Sequence, residues 1–333
     1  MRRSLLFSIA IPVYNGLEDF KECLSSIYEN PPSCKFEVIV VDDGSSEEIA
    51  AFVQEDYPQI NLIVNETNMG LSPSTNRAVK VAKGKYFLRL DADTIVRAEA
   101  FNILVKFMEE RPRVGVAGPR LVHLNGMVQK SVSFRWPTPG FVFNEFNFVI
   151  GKIAALAFSL FSFLGASKKN SLESRKVAHI TGAAMLIRKE AIVQAGKMDP
   201  EVKFFRDETD WQYRIAKQNW EIWYVPEAII VHKGGHSAEG KYIFAKETNL
   251  KSLWRFNQKH FPGRFYQLRF WLAVVSGSLL SFLLGFLMIP LSIFQKKVRT
   301  VCHKTISGFG FVLTWHIKNF RTLVMGTNFP HFK

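Results

Sequence analysis

The residues best suited to chemistry are carboxylates that directly follow short apolar runs. Tyr86–Leu90 is one such run, and Asp91-Ala92-Asp93 comes straight after it. An Asp-x-Asp at a strand end offers hard oxygen ligands to Mg2+ or Mn2+, and the cation in turn can hold a diphosphate. There it would act as a Lewis acid toward a leaving nucleoside diphosphate. Asp42-Asp43-Gly44-Ser45 follows a second run, Phe36–Val41, and Pro12-Val13-Tyr14-Asn15 follows a third, Leu5–Ile11. Further along, Asp207, Glu208 and Asp210 lie within four residues. Like charges so close raise at least one pKa, which suits a general base. Asp210 and Arg214 are also spaced to pair along a helix. A single Asp after a strand is usually a turn former, so the weight rests on three clusters sharing one edge.

That edge requires alternating strands and helices. Leu5–Ile11 predicts a buried first strand, followed by a turn over Pro12–Gly16 and an amphipathic helix over Leu17–Tyr28. Phe36–Val41 predicts a second strand, with Ser45 or Ser46 capping a helix over Glu47–Asp56. Strand Ile60–Asn65, helix Ser72–Ala82, strand Tyr86–Leu90, helix Ala98–Glu110 and strand Val114–Gly118 continue the alternation. Such a pattern implies an α/β fold with a doubly wound, mostly parallel sheet that binds ligands beyond the carboxyl ends of its strands. There is no GxGxxG after the first strand and no GxxxxGK[ST] anywhere, which argues against dinucleotide oxidoreductases and P-loop enzymes.

The 333 residues carry a formal charge of +14, and its distribution is uneven. No acidic residue follows Glu247, whereas Thr248–Lys333 holds 12 basic ones. Residues 1–247 are nearly neutral, with 31 basic against 29 acidic side chains. Within the basic tail, Phe270–Phe294 has no charged residue over 25 positions. As a helix that run would reach roughly 37 Å, against a bilayer core of about 30 Å. Basic residues frame an apolar run rather than mixing with polar ones, so the pattern indicates an anionic membrane and not nucleic acid. A span would leave Lys296–Lys333 on the far side, against the positive-inside tendency, while a helix lying in or dipping into the interface avoids this. Both readings stay open. Arg2-Arg3 before Leu5–Ile11 imitates a signal peptide, but the run is too short and has no cleavage site. Cys23, Cys34 and Cys302 form no close pair, which fits a reducing cytosol.

The ordered series of motifs resembles the family-2 inverting glycosyltransferases of the A-type fold. It comprises Ile9–Asn15, Val40–Ser45, Asn68-Met-Gly70 to Asn76 and Leu90–Thr94, followed by Ile180–Glu190, Phe204–Trp211 and Tyr224–His232. Gly118-Pro-Arg-Leu121 and Arg135-Trp-Pro-Thr-Pro139 make it most similar to the rhamnosyltransferase-like branch. The resemblance implies a donor pocket shaped by Pro12, Tyr14, Asn15, Gly70 and Asn76. Asp42 or Asp43 would accept from a pyrimidine N3–H. Asp91, with Ala92 beside it, would face the ribose and metal, and Asp93 and His232 would complete the metal site. Gly182, Ala183, Asp210 and Trp211 would lie toward the acceptor, Trp211 either as a sugar platform or as core. Glu208 stands where the family usually has an Asp base, and Asp207 is the second candidate.

The expected organisation is a catalytic domain over 1–247 and a membrane-associating region over 248–333. The catalytic domain would hold a nucleotide-sugar half at 1–120, an apolar insert at 141–167 and an acceptor half at 177–247. Within the insert, Ile153–Ala166 is too short to span and reads as an interfacial helix. These features imply transfer of a sugar, rhamnose from dTDP-rhamnose foremost, to a lipid-linked saccharide at the cytoplasmic membrane face. UDP-type donors and an oligomeric state are compatible. A processive synthase should carry Gln-x-x-Arg-Trp, and here only Gln212-Tyr-Arg occurs. The same features also admit a polyprenyl-phosphate sugar transferase or a catalytically silent nucleotide-sugar-binding scaffold.

Overall fold

The computed structural model describes residues 6–138, 173–202, 205–234, 242–287 and 296–325. The insert 141–167 and the last part of the apolar run 270–294 fall outside them. The chain divides into two compact units, Met1–Phe134 with Ser171–Ser237 and Arg135–Asn170 with Ala238–Lys333.

The first unit is built on a mixed α/β sheet. Its opening strands are β1 (Leu6–Val13), β2 (Lys35–Asp42), β3 (Asn61–Val64) and β4 (Tyr86–Leu90). They are joined by helices α1 (Leu17–Glu29), α2 (Ile49–Asp56) and α3 (Leu71–Val81). Then come β5 (Thr94–Val96), α4 (Ala100–Glu110), β6 (Val114–Val122), β7 (Val132–Ser133), β8 (Arg175–Lys176), β9 (His179–Ile180) and β10 (Ala184–Arg188). Helices α5 (Lys189–Ala195) and α6 (Asp207–Lys217) precede the long strand β11 (Glu221–His232). The strand order is β3-β2-β1-β4-β10-β6-β11-β5, with β8 paired to β11 and a separate β7–β9 pair.

Strands β1, β2, β3 and β4 run parallel, as do β6 and β11. Their carboxyl ends therefore share one edge, as the alternation predicts. Strand β10 lies antiparallel between β4 and β6, so its amino end reaches that same edge, with Ala184 opposite Leu90. The helices cover the sheet through apolar stripes at helical spacing. Phe20, Cys23, Leu24 and Ile27 are buried on α1, and Phe101, Leu104, Val105 and Met108 on α4.

Two local expectations need correction. Helix α2 begins at Ile49, and its capping position is Glu48, with no side-chain cap. Ser45 and Ser46 are engaged elsewhere: Ser45 Oγ accepts from Asn15 N at 2.9 Å, and Ser46 N donates to Asn15 Oδ1 at 2.9 Å. The strand–helix alternation also gives no sign of β5. It is three residues long and pairs with the end of β11, placing Thr94 opposite His232.

The second unit contains α7 (Tyr242–His260), α8 (Arg264–Leu287), α9 (Lys296–Lys318) and α10 (Phe320–Met325). Leu250, Leu253, Trp254, Phe270, Val274, Val312, Trp315 and Leu323 form its core. Trp254 Nε1 donates to the buried His316 Nε2 at 2.8 Å, and His316 Nδ1 bonds Val312 O at 2.8 Å. Trp271 donates to His316 O, and Phe282 lies against Gly310, so α8 and α9 pack antiparallel. The outer side of α8 exposes Phe265, Leu272, Leu279, Leu283 and Phe286. Among the described helices, Arg264–Leu284 alone is long and apolar enough to cross a membrane, with a mean hydropathy of 1.5 and a third of its segment buried.

Candidate active site

Strand β4 ends at Leu90 and delivers Asp91 and Asp93 to the carboxyl edge. Thr94 Oγ1 donates to Asp91 O at 2.7 Å, closing a tight turn between β4 and β5. Behind that turn lies Cys23, whose thiol is pushed up to about 12 by burial and is therefore unreactive. Strand β11 brings His232 to the same place, with Nε2 3.5 Å from Asp93 Oδ1. Asp93 Oδ2 accepts from Gly234 N at 3.0 Å, and Asp93 O from Lys233 N at 3.0 Å. Lys233 then reaches Asp19 and Glu22 on α1, fastening the strand end.

One ligand atom each from Asp91, Asp93 and His232 lies within 4.8 Å of the others. Two carboxylate oxygens and an imidazole nitrogen at that spacing fit a divalent cation such as Mn2+ or Mg2+. Burial raises the Asp93 carboxyl above its ordinary value and Asp91 adds to the rise, while His232 opposes it. Such repulsion is what a bound cation would relieve.

The sequence motifs give no role to Arg89. Its guanidinium is buried, donates to Asp91 Oδ1 at 3.0 Å, and stands 3.7 Å from Asp207 Oδ2. The available signal is a lone charge within an otherwise apolar strand. Arg89 thus links the Asp-x-Asp turn to the acidic start of α6. Gly182 makes room for it, since a Cβ at that position would sit 2.8 Å from Arg89 Cζ and closer still to Nη1. Ala183 O accepts from Asp91 N at 2.9 Å. Gly182 and Ala183 therefore shape the carboxylate turn itself. Arg188, at the other end of the same motif, is remote from it. It pairs with Tyr86 at the opposite end of β4 and donates to Val114 O and Met108 O.

Phe205 and Arg206 are both left-handed, at φ of 61° and 58°, and turn the chain sharply into α6. Asp207 is buried there, and its Oδ2 has no hydrogen bond. Burial pushes its carboxyl well above the ordinary range; Arg89 pulls it back and Glu208 adds to the rise. Glu208 is half-buried and receives a 3.1 Å hydrogen bond from Thr209 Oγ1. Of the two base candidates, Glu208 is the accessible one.

The other predicted site residues divide by their partners. Asp43 Oδ1 accepts from Asn65 Nδ2 and Met69 N, and its Oδ2 from Gly70 N, so both oxygens hold the loop ahead of α3. Asp42 Oδ1 accepts from Ser45 N at 2.9 Å. Asn15, left-handed at φ 56°, ties the turn after β1 to the turn after β2, and Tyr14 beside it is exposed. Pro12 pairs with Val41 within the sheet, and Ala92 is half-buried between the two aspartates.

Three further predicted residues are held by contacts within the fold, and at Asp210 and Trp211 these match the alternative readings of helix pairing and core packing. Asn76 spends its amide on Met198, donating to its O and accepting from its N, both at 2.9 Å. Both ends of its amide therefore fasten α3 to the backbone of Met198. Asp210 is buried against Arg214 at 2.9 Å, along the helix. Trp211 is fully buried, packs edge-on against Phe87 and donates to Gly196 O, so it belongs to the core and offers no platform for a sugar.

Comparison with known proteins bears on the family and the fold. Residues 8–195 match the family model described as glycosyl transferase family 2. The uncharacterized glycosyltransferase YibD of Escherichia coli is 36% identical over 101 residues, 29% of each chain. A poly-beta-1,6-N-acetyl-D-glucosamine synthase of Staphylococcus epidermidis is 24% identical, covering 67% of this chain and 48% of that protein. The chain thus spans less than half the length of these two relatives. The N-acetylglucosaminyl-diphospho-decaprenol L-rhamnosyltransferase of Mycobacterium tuberculosis is 24% identical, covering 66% of this chain and 73% of that one. In fold, the chain is similar to a Pyrobaculum calidifontis mannosyltransferase solved with GDP-Man and Mn2+. That likeness has a TM-score of 0.58 at 16% identity, over 94% of this chain and 86% of that one. With its A-type α/β sheet and with more than half its length matching the family model, the chain belongs to glycosyl transferase family 2.

Proposed function

We propose that the chain is an inverting, metal-dependent glycosyltransferase that moves a sugar from a nucleoside diphosphate to a lipid-linked saccharide. The observation that carries this reading is the grouping of Asp91, Asp93 and His232 at the sheet edge, with Arg89 joining them to Asp207, the neighbour of Glu208. Asp91, Asp93 and His232 would hold a divalent cation, whose chemistry there is to neutralise charge on the departing diphosphate. Asp42 reads the N3–H of a pyrimidine, since Asp43 has both oxygens committed. Pro12, Tyr14, Asn15 and Gly70 wall the base pocket. Glu208 takes the proton of the acceptor hydroxyl as that oxygen attacks the anomeric carbon opposite the leaving group. Asp207, paired with Arg89, positions the start of α6. The rhamnosyltransferase likeness favours dTDP-rhamnose as donor.

The second unit supports attachment to the anionic cytoplasmic face of the membrane. Helix α8 exposes an apolar stripe, basic residues flank it, and α9 returns along it, which favours a hairpin lying in the interface over a single crossing.

The test is a thermal-shift screen of nucleoside diphosphates and their sugars with Mn2+, followed by transfer assays with the donor that stabilises. Asp93→Ala should abolish metal-dependent turnover while leaving the fold intact; unchanged turnover would sink the metal assignment. A chain lacking Phe270–Lys333 should leave the membrane fraction, and a truncated protein still fractionating with membranes would place the anchor elsewhere.

A further inference from the structure

His232 has a partner on each side of its ring. Nε2 faces Asp93, and Nδ1 lies 2.9 Å from Oε1 of Gln129. The orientation of the Gln129 amide is set by a second contact. Its nitrogen lies 2.5 Å from the carbonyl oxygen of His232, and that oxygen can only accept. The nitrogen must therefore be the donor there, which directs Oε1 at Nδ1. Its other hydrogen points to His123 Nδ1 at 3.0 Å.

An amide oxygen accepts and never donates, so the proton of a neutral His232 ring must reside on Nδ1. Nε2 then presents a lone pair to a carboxylate oxygen 3.5 Å away. Two acceptors facing each other repel, unless a second ring proton or a metal cation stands between them. Gln129 itself is well anchored. Its N–H donates to Leu121 O at 2.9 Å, and β6 runs beside β11 with Leu121 opposite Ile230. A tight turn at His123–Met127, with Gly126 at φ 80°, folds the chain back to bring Gln129 beside His232.

We propose that Gln129 is a positioning residue that fixes His232 as its Nδ1–H tautomer and so presents Nε2 to a divalent cation shared with Asp91 and Asp93. This rests on the metal-dependent reading above, and it assigns the site a support that no sequence motif marks. Outer partners of metal-binding imidazoles commonly contribute 10–100-fold in metal affinity.

The first measurement uses the metal-free full chain with 15N-labelled histidine, the His232 signal being assigned through His232→Gln. Neutral His232 should be the Nδ1–H tautomer, and an Nε2–H tautomer in the wild type overturns the proposal without any variant. Gln129→Met should lose the single tautomer and bind Mn2+ about 10–100-fold more weakly in titration calorimetry. His123→Ala, which removes only the far end of the network, should change neither. Equal effects of His123→Ala and Gln129→Met would reduce Gln129 to a brace of the turn and overturn the proposal. Failure of the wild type to bind Mn2+ would instead overturn the metal reading, while the metal-free tautomer would still decide the role of Gln129.

Discussion

Gly182→Ala should damage the protein severely, although it adds a single methyl group. The added carbon would sit 2.8 Å from Arg89 Cζ, where ordinary contact begins near 3.4 Å. Arg89 is buried within a strand and cannot swing to solvent, so relief requires the guanidinium to leave its place. That movement breaks its 3.0 Å bond to Asp91 and takes it away from Asp207, stranding a buried carboxylate. Breaking one side of a buried ion pair costs about 3–5 kcal/mol. For a body of this size each kcal/mol shifts Tm by about 2–4 °C, giving a fall of about 6–20 °C. Differential scanning fluorimetry of the full chain measures this. Arg89→Met combined with Gly182→Ala separates the clash from any backbone need for glycine. The double variant should be no less stable than Arg89→Met alone, because the methyl then meets no guanidinium. A Gly182→Ala protein melting within a degree or so of the wild type would refute the packing argument outright.

Asn76→Ala should lower Tm through the loss of two hydrogen bonds, about 2 kcal/mol together. The folded fraction should bind nucleotide with unchanged Kd; a weakened Kd would return Asn76 to the donor site. Glu208→Gln should reduce kcat by about 10^2–10^4 with donor binding intact, and full activity would shift the base role to another group. Asp207 titrates above its unfolded value, so the stability it lends is complete at low pH and is lost as pH rises through the folded value. Asp207→Asn should therefore gain on the wild type with rising pH in urea titrations, and a gap that narrows would reverse the assigned direction.

The carboxylate edge is legible in the sequence because an apolar run ending in a polar cluster is a local pattern. Asp91 and Asp93 follow β4 and His232 ends β11, strands that run in the same direction, so all three reach one edge. Strand β10 is not legible as the antiparallel element between β4 and β6, since nothing local in Ala184–Arg188 states its neighbours or direction. The double readings at Asn76, Asp210 and Trp211 share one cause. Polar and aromatic side chains look the same in a sequence whether they face a ligand or fasten the fold, and only their partners separate the two. The burial of Arg89 and the vacancy at Gly182 are halves of one packing decision, separated by more than ninety residues.

The fastenings differ in how they constrain descent. Asn76 grips the backbone of Met198, and Gln212 likewise grips the N–H and carbonyl of Ile180. Such clamps are indifferent to the side chain at the gripped end. Across relatives, positions 76 and 212 should stay amides whichever apolar residue stands at 198, whereas 180 is tied to Gly118 by its side chain. Arg89 and Gly182 are bound side chain to space, so a lineage can lose one only by altering the other. Of the two kinds of contact, only the second should leave paired changes across the family.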